Sequence, residues 1–358
     1  MKIKKNNIIT GLDIGSSKTS AVAANVDRDN VISILGAVWQ PSKGISTGTI
    51  TNLKDAVSSV ASVLDKLGNK ISADPGDIYV NMSGEGVKGI KSRGMIALSI
   101  RGREVTRLDM TRCVSVAGTI HLPLDREILH RIVHNFSVDD RPPVKDPLGL
   151  YASRLNCEVY VVTCDINEMQ NIYKCVNNAG YSVKEIVFTG VAEGATLLDK
   201  DVRDKGAAII DIGDSTTIIS IFYNGALYDL EVITLGAKDT KGDFKQDEKF
   251  GSLVSSIDVR MKDFIKGGGS VSSVTLTGGM CITENLAEYL EERLAYPVKM
   301  GVAKGVMCDI SGADGVRLST AIGLVKYASE KRDRTLFEPK NIAKKVSERV
   351  VDIFNNYF

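Results

Sequence analysis

The sequence predicts a duplicated α/β fold of two domains, each with its own core. Three observations predict it. An apolar strand, an Asp-x-Gly turn and a second apolar strand occur in that order twice, through Asp13-Ile14-Gly15-Ser16-Ser17 within 8–26 and through Asp211-Ile212-Gly213-Asp214-Ser215 within 207–222. A third glycine motif, VTLTGGM over 274–280, ends another apolar strand and precedes a helix-like run over 284–294. The chain has 358 residues, 43% hydrophobic and 25% charged, a globular composition long enough for two cores.

The first copy, TGLDIGSSKTSAV over 10–22, nearly matches a phosphate-binding G-x-x-x-x-G-K-[ST] loop, but Ser17 stands where the glycine before the lysine must be. Such a lysine must also open a helix. Here the chain stays apolar over strand length and turns at 27–30, and the second copy turns at Asn224-Gly225, a strong hairpin signal. Each copy therefore reads as strand, turn, strand. A glycine-rich turn between strands points backbone N–H groups into one concavity, which suits phosphate oxygens, and an aspartate at the strand end can hold the water shell of a magnesium ion. Two such turns facing one another would clamp a magnesium-bound polyphosphate, with Lys18 supplying a point charge. One copy alone is more often a plain hairpin turn, and it is the duplication that favours the clamp. The pair Gly278-Gly279 lets the backbone lie flat against a planar group such as adenine, or simply turns a corner.

Bulk properties exclude several classes. A formal net charge of +1 gives no overall pull toward nucleic acid or membrane. The six cysteines (113, 157, 164, 175, 281 and 308) contain no C-x-x-C pair, so reduced thiols in a cytosolic protein are expected rather than disulfides or a zinc site. No run of about 18 apolar residues is present. The opening MKIKKNN leads at once into an Asp-containing strand, so neither a signal peptide nor a membrane span is expected. His130 and His134 stand four apart, but Arg131 replaces the glutamate of a zinc-protease helix and no third ligand has fitting spacing. The basic segment 101–112 reads as a solvated loop and helix face, and Gly267-Gly268-Gly269 as a turn into the next strand. No Ser, His and Asp spacing forms a hydrolase triad.

In their order, two Asp-x-Gly hairpins and a glycine-pair strand resemble the nucleotide site of the actin, hexokinase and seventy-kilodalton heat-shock chaperone superfamily. Within it, NFSVDD (135–140), PLGLYASRLNCEVYVVT (147–163), VKEIVFTGVAEGATLL (183–198) and GAAIIDIGDSTTIISIFYNGAL (206–227) are similar to FtsA, the bacterial actin homologue that tethers the FtsZ division ring to the membrane. The resemblance covers about 8–328. It implies an α/β, duplicated actin-like ATPase (ribonuclease H-like) fold, two lobes around a nucleotide cleft, with the FtsA-type inserted subdomain. The lobe I core would be 1–82 with 163–190, the inserted subdomain 83–162, and lobe II 191–328 with a reduced subdomain at about 236–270. A linker over 329–340 and a tail over 341–358 would follow.

The resemblance also implies ATP and Mg2+ as cofactors. Asp13 and Asp211 would hold magnesium through water. Gly15, Ser16, Ser17, Lys18, Gly213, Asp214, Ser215 and Thr216 would lie at the phosphates, and Gly278, Gly279 and Met280 beneath the nucleoside. Helix-like 188–198 and 318–327 would cross between lobes, where Gly190, Ala192, Ala321 and Gly323 permit close packing and a hinge could couple nucleotide state to lobe angle. Implied partners are the FtsZ C-terminal peptide, further copies in a filament, other division proteins and an anionic membrane surface on the cytoplasmic face of the septum. Nucleic acid is not among them.

Two departures stand against this pattern. Only positions 214–273 separate the second turn from the glycine-pair strand, where FtsA ordinarily fits a whole helical subdomain. A charged run over 236–251 and one helix over 253–265 fill that space, and Glu248 and Lys249 are adjacent rather than a helical turn apart, so the family's adenine contacts do not carry over to them. That subdomain is also where FtsA docks the FtsZ tail and meets its filament neighbour, so the shortening bears on both. Asp214 stands where the family often has glycine, and a carboxylate there repels phosphates unless magnesium or a donor offsets it, which implies weaker ATP binding.

The tail adds its own signal. Ile342, Val346, Val350, Ile353, Phe354 and Tyr357 fall on one helical stripe, with Lys344, Lys345, Glu348, Arg349, Asp352 and Asn355 elsewhere. It is either a last helix on the protein's own core or an interfacial membrane helix. Half-burying six apolar side chains contributes on the order of 5 to 8 kcal/mol at about 25 cal/mol per Å², much of which ordering the helix consumes. One such tail binds weakly, whereas a polymer presenting many binds by avidity. Three functions stand side by side: an FtsA-like membrane-tethering scaffold with weak ATPase activity at most, a PilM-like pilus assembly protein, and a sugar or acid kinase of the same superfamily.

Overall fold

The computed structural model describes residues 8–27, 29–307 and 312–337. The first hairpin is β1 (Ile8–Ile14) and β2 (Lys18–Val26), continued antiparallel by β3 (Ile32–Pro41). The short pair β4 (Ile45–Ser46) and β5 (Thr49–Ile50) makes a tight turn before α1 (Leu53–Ile71), and β6 (Asp77–Met82) returns parallel to β1. Asn52 caps α1 by accepting from the Asp55 N–H, and the helix lays Val60, Val63, Leu64 and Leu67 on the sheet.

The chain then leaves the lobe for an insertion. It comprises β7 (Lys88–Ala97), β8 (Arg103–Glu104), α2 (Arg107–Gly118), β9 (Arg126–Val138), β10 (Tyr151–Ala152) and β11 (Arg154–Asp165), with three strands in the order β7-β11-β9. Arg101, Arg107 and Arg112 are solvated as expected of the basic segment, and half-buried Arg103 is paired. Its guanidinium donates twice, at 2.6 Å, to buried Asp109, which Thr106 also contacts through a reciprocal cap of α2. The two guanidinium bonds hold the Asp109 carboxyl far below the usual carboxylate range.

Back in the first lobe, α3 (Ile166–Asn178) leads to β12 (Val183–Phe188), parallel to β6, and the sheet reads β12-β6-β1-β2-β3. After α4 (Thr189–Leu197) and α5 (Lys200–Lys205) the pattern repeats with β13 (Ala207–Ile212), β14 (Thr217–Tyr223), β15 (Ala226–Ile233), α6 (Glu248–Lys266), β16 (Val274–Thr277), α7 (Leu286–Leu294) and β17 (Val298–Met300). Its order, β15-β14-β13-β16-β17, is the first sheet's order read with the second lobe's strands. The space between β15 and β16 holds a 3-10 turn over Ala237–Asp239 and the single long helix α6, capped by Asp247 and longer at its start than the sequence pattern indicates. The three glycines 267–269 end that helix, with Gly268 at φ +90.

Two further helices finish the described chain, α8 (Gly312–Arg317) and α9 (Ser319–Phe337). The expected lobe II bounds reach through 328, yet Leu324, Val325 and Ala328 pack with Ile9, Ala24 and Tyr79 of the first lobe, as a helix crossing between lobes does. A Cβ on Gly11 of β1 would fall 2.0 Å from the Ala321 carbonyl oxygen, so only glycine lets α9 lie on that strand. Conversely α4 seats Gly190 and Gly194 on Ser220 and Phe222 of the second sheet. The segment read as a linker from 329 begins as helix, because α9 continues to Phe337. Residues 341–358 lie outside the described residues. Cys113, Cys157, Cys164, Cys175 and Cys281 are buried free thiols.

His130 and His134 are structural. The His130 ring accepts the Phe188 N–H at 3.0 Å, and His134 pairs with the Leu227 carbonyl at 2.9 Å and stacks on Tyr228. Burial first, and nearby Lys331 second, lower the His130 imidazole to about 3. Its folded value lies below its unfolded one, so between pH 6.5 and about 3 the unfolded chain binds the extra proton and stability falls with falling pH. Denaturant titrations should show a loss approaching about 1.4 kcal/mol per pH unit from this residue. His130→Gln, which keeps an acceptor and does not titrate, should flatten the profile; an unchanged slope would show that His130 is not its source.

Candidate functional site

Both Asp-x-Gly turns open onto one cleft of about 340 Å³ between the sheets. The turns are built alike: the Gly15 N–H donates to the Lys18 carbonyl at 2.9 Å, and the Gly213 N–H to the Thr216 carbonyl at 2.9 Å. Register explains the match, since Ile14 pairs with Thr19 in one hairpin and Ile212 with Thr217 in the other, leaving four residues to turn each time. Among the described residues, the backbone N–H groups of Ser16, Ser17, Asp214 and Ser215 take no backbone acceptor. Such N–H groups at the tip of a tight turn form an anion-binding concavity. The loop at 236–238 braces the second turn from behind, with Ala237 and Lys238 donating to the Gly213 and Asp214 carbonyls.

Charge at the cleft floor is unbalanced. The Lys18 ammonium bonds the buried Asp13 carboxylate at 2.9 Å, and Ser20 adds a longer bond at 3.3 Å. Asp211 has no comparable cation of its own among the described residues. Burial raises it to about 6, nearby Lys18 opposes that rise, and Asp13 adds to it. Behind it in α4, Glu193 is fully buried and pushed well above the usual range, by burial first and by Asp211 second. One Glu193 oxygen accepts from the Thr320 hydroxyl at 3.2 Å, and the carboxyl also hydrogen-bonds Asp211, which partly offsets the rise there. Gly278 closes the floor at φ +88, where a Cβ would stand 2.3 Å from an Asp211 carboxylate oxygen.

Of the residues proposed from sequence, Asp13, Gly15, Ser16, Ser17, Lys18, Asp211, Gly213, Asp214, Thr216, Gly278 and Gly279 all line this cleft. Two do not. Met280 turns into the second lobe's core, because the 3-10 turn over Gly279–Ile282 rotates it inward. Ser215 is buried, and its hydroxyl accepts the Thr47 N–H at 3.0 Å while the Ser16 hydroxyl accepts the Gly48 N–H at 3.1 Å. The β4–β5 turn thus bridges the two glycine turns. The six tail positions from Ile342 to Tyr357 lie outside the described residues. Sequence reasoning passed over Asn81, Trp39, Glu193 and Arg317. Asn81 fixes the end of β1 by accepting the Ile14 N–H at 2.7 Å. The signal for Trp39 was its being the single tryptophan; for Glu193 it was a charged residue inside an otherwise apolar crossing helix.

One strand order used twice around a shared cleft defines a two-lobed α/β protein of the actin-like ATPase fold. Solved structures agree at the level of fold: a chain of the PilM-PilN type IV pilus biogenesis complex matches with a TM-score of 0.65 at 14% identity, covering 92% of this chain and 99% of its own. The ethanolamine utilization protein EutJ from Carboxydothermus hydrogenoformans matches at 0.51 and 12% identity, over 91% and 92%. Residues 84–163 match the family described as the SHS2 domain inserted in FTSA. The cell division protein FtsA of Borreliella burgdorferi is 28% identical over 96% of this chain and 95% of its own length, and that of Pseudomonas aeruginosa 26% over 92% and 91%. These findings bear out the resemblance to FtsA, which runs along most of the chain and includes the SHS2 domain match over 84–163. The Borreliella alignment runs over 397 positions, more than the 358 residues present here, so that relative carries segments with no counterpart in this chain. Among the described residues, no helix is long and apolar enough to cross a membrane.

Proposed function

We propose that this chain is an FtsA-like division protein that binds MgATP between its lobes and tethers the FtsZ ring to the inner face of the cytoplasmic membrane through residues 341–358. The observation that carries the nucleotide part is the pair of like-built turns opening onto one cleft, with backbone N–H groups that take no backbone acceptor among the described residues and carboxylates at the floor. Magnesium would supply the charge that lets a polyphosphate lie beside Asp13, Asp211 and Asp214. Asp13 and Asp211, each on the strand that leads into its turn, would hold the cation through water. Lys18 would share its ammonium between Asp13 and the phosphates, and Gly279 leaves open space above the glycine pair for the nucleoside.

Filament formation and FtsZ peptide binding belong to the same reading. With α6 as the one long helix between β15 and β16, the surface available for either is small. Turnover of ATP is expected to be slow at most. The likeness to the pilus complex is one of fold and does not move the assignment, whereas the FtsA relatives run along most of both chains.

The test is co-sedimentation of the full chain and a 1–340 truncation with anionic liposomes, with and without MgATP. Pelleting of the full chain, lost on truncation and increased by MgATP through avidity of assembled copies, is the expected result. Equal pelleting of both chains would remove the tail from the mechanism.

A further inference from the structure

A second cavity, of about 180 Å³, adjoins the β4–β5 turn through Gly48 and Thr49. Its walls are mostly apolar, with Ile14, Ile45, Ile50, Met82 and Ile172, and its one charged lining residue among the described residues is Glu168 of α3. A glutamate three residues after a helix cap ordinarily reaches back to the N–H of the capping residue. Here Asp165 caps α3 alone, accepting from the Asn167 and Glu168 N–H groups, and the Glu168 carboxylate turns to the loop at 84–86. The glycines of that loop make room for it: a Cβ on Gly86 would fall 2.6 Å from the Glu168 Oε2, and one on Gly84 2.9 Å. Oε2 is buried and takes no hydrogen bond among the described residues. Arg126, the cation that acts on Glu168, donates instead to the Thr163 hydroxyl and the Gly86 carbonyl. Burial first, then Asp165 and Glu85, raise the Glu168 carboxyl above the usual range. A buried acceptor without a donor is costly, and in this acidic setting the group that would satisfy it best is a positively charged donor.

We propose that this cavity binds a small aliphatic ammonium ion, its head group bonded to Glu168 and its alkyl part against Ile14, Ile50 and Ile172. At well under the roughly 300 Å³ where drug-sized sites begin, the cavity selects a small ligand. The site needs no nucleotide, yet it touches the machinery of the cleft. Gly48 and Thr49 belong to the turn that ties Ser16 to Ser215, and Asn81, which lines both cavities, fixes the end of β1 through the Ile14 N–H. An occupant therefore stiffens the turn that bridges the two lobes.

The probe is n-butylammonium, with n-butanol as the neutral molecule of similar shape, on the full chain without nucleotide. Saturation-transfer NMR titrations should give about millimolar binding of the ammonium, at least about tenfold tighter than the alcohol, the difference expected of one charge-assisted hydrogen bond. Hydrogen exchange over 45–50 should slow on binding. Glu168→Gln, of the same shape and uncharged, should remove the tenfold preference. Gly86→Ala, whose Cβ meets first the movable end of Glu168, should fold normally and weaken the ammonium selectively. The proposal is overturned if the parent protein binds both probes equally or neither, or if Glu168→Gln keeps the preference. It is overturned equally if exchange over 45–50 is unchanged while the ammonium binds. With no nucleotide present, these outcomes are independent of the MgATP reading, and a failure to bind MgATP would leave them as they are.

Discussion

Lys18→Ala should weaken MgATP binding by about 10- to 150-fold, the range expected for one charge-assisted hydrogen bond. The ammonium is the one cation at the turn, 2.9 Å from the Asp13 carboxylate, and it lines the cleft where the phosphates would lie. Its removal acts twice: a donor to the phosphates is lost, and buried Asp13 is left without its partner close to Asp211. Ser17→Ala, one residue earlier in the same turn, keeps both the backbone N–H groups and the charge and should change affinity far less. Calorimetry on the three proteins decides the matter. A Lys18→Ala protein that binds MgATP within twofold of the parent would show that Lys18 serves Asp13 alone.

Gly323→Val should lower the melting temperature by roughly 4 °C, from an overpacking cost of about 3 kcal/mol and about 1.3 °C per kcal/mol for 358 residues at about 2.1 cal/mol/K each. A Cβ at Gly323 would stand 2.3 Å from the Ala192 carbonyl oxygen and 2.7 Å from its carbon, and neither backbone atom can swing aside as a side chain could. The α4–α9 crossing would have to open, and with it the seat of α9 on β1 at Gly11 and of α4 on the second sheet at Gly190. Gly279→Ala is the matched control, because a Cβ there meets nothing within 4 Å. Scanning calorimetry that finds the two variants equally stable would mean that the helices slide past one another at little cost.

The two hairpins were legible because each is local. Asp13 faces Ser20 and Asp211 faces Ile218 in register, so strand, turn and strand are written within about twenty residues of each other, and duplication reinforced the pattern. The crossing helices were legible too, since small residues spaced along an apolar run have few other uses. Glu193 was not. Nothing next to it in the chain says that its neighbours are Asp211 and Thr320, which come from a different strand and a different helix.

By itself, then, the sequence determined the repeated element order, the place of both glycine turns and the composition of the cleft around them, because short-range alternation and turn chemistry decide these. Tertiary structure alone decided which lobe α9 covers, that Met280 faces the core, that the β4–β5 turn ties Ser16 to Ser215, and that Trp39 meets Arg317. Those depend on contacts between residues far apart in the chain, such as Thr47 with Ser215 and Trp39 with Arg317. Such pairings follow from how two sheets pack around a shared pair of helices, and no local preference encodes that geometry.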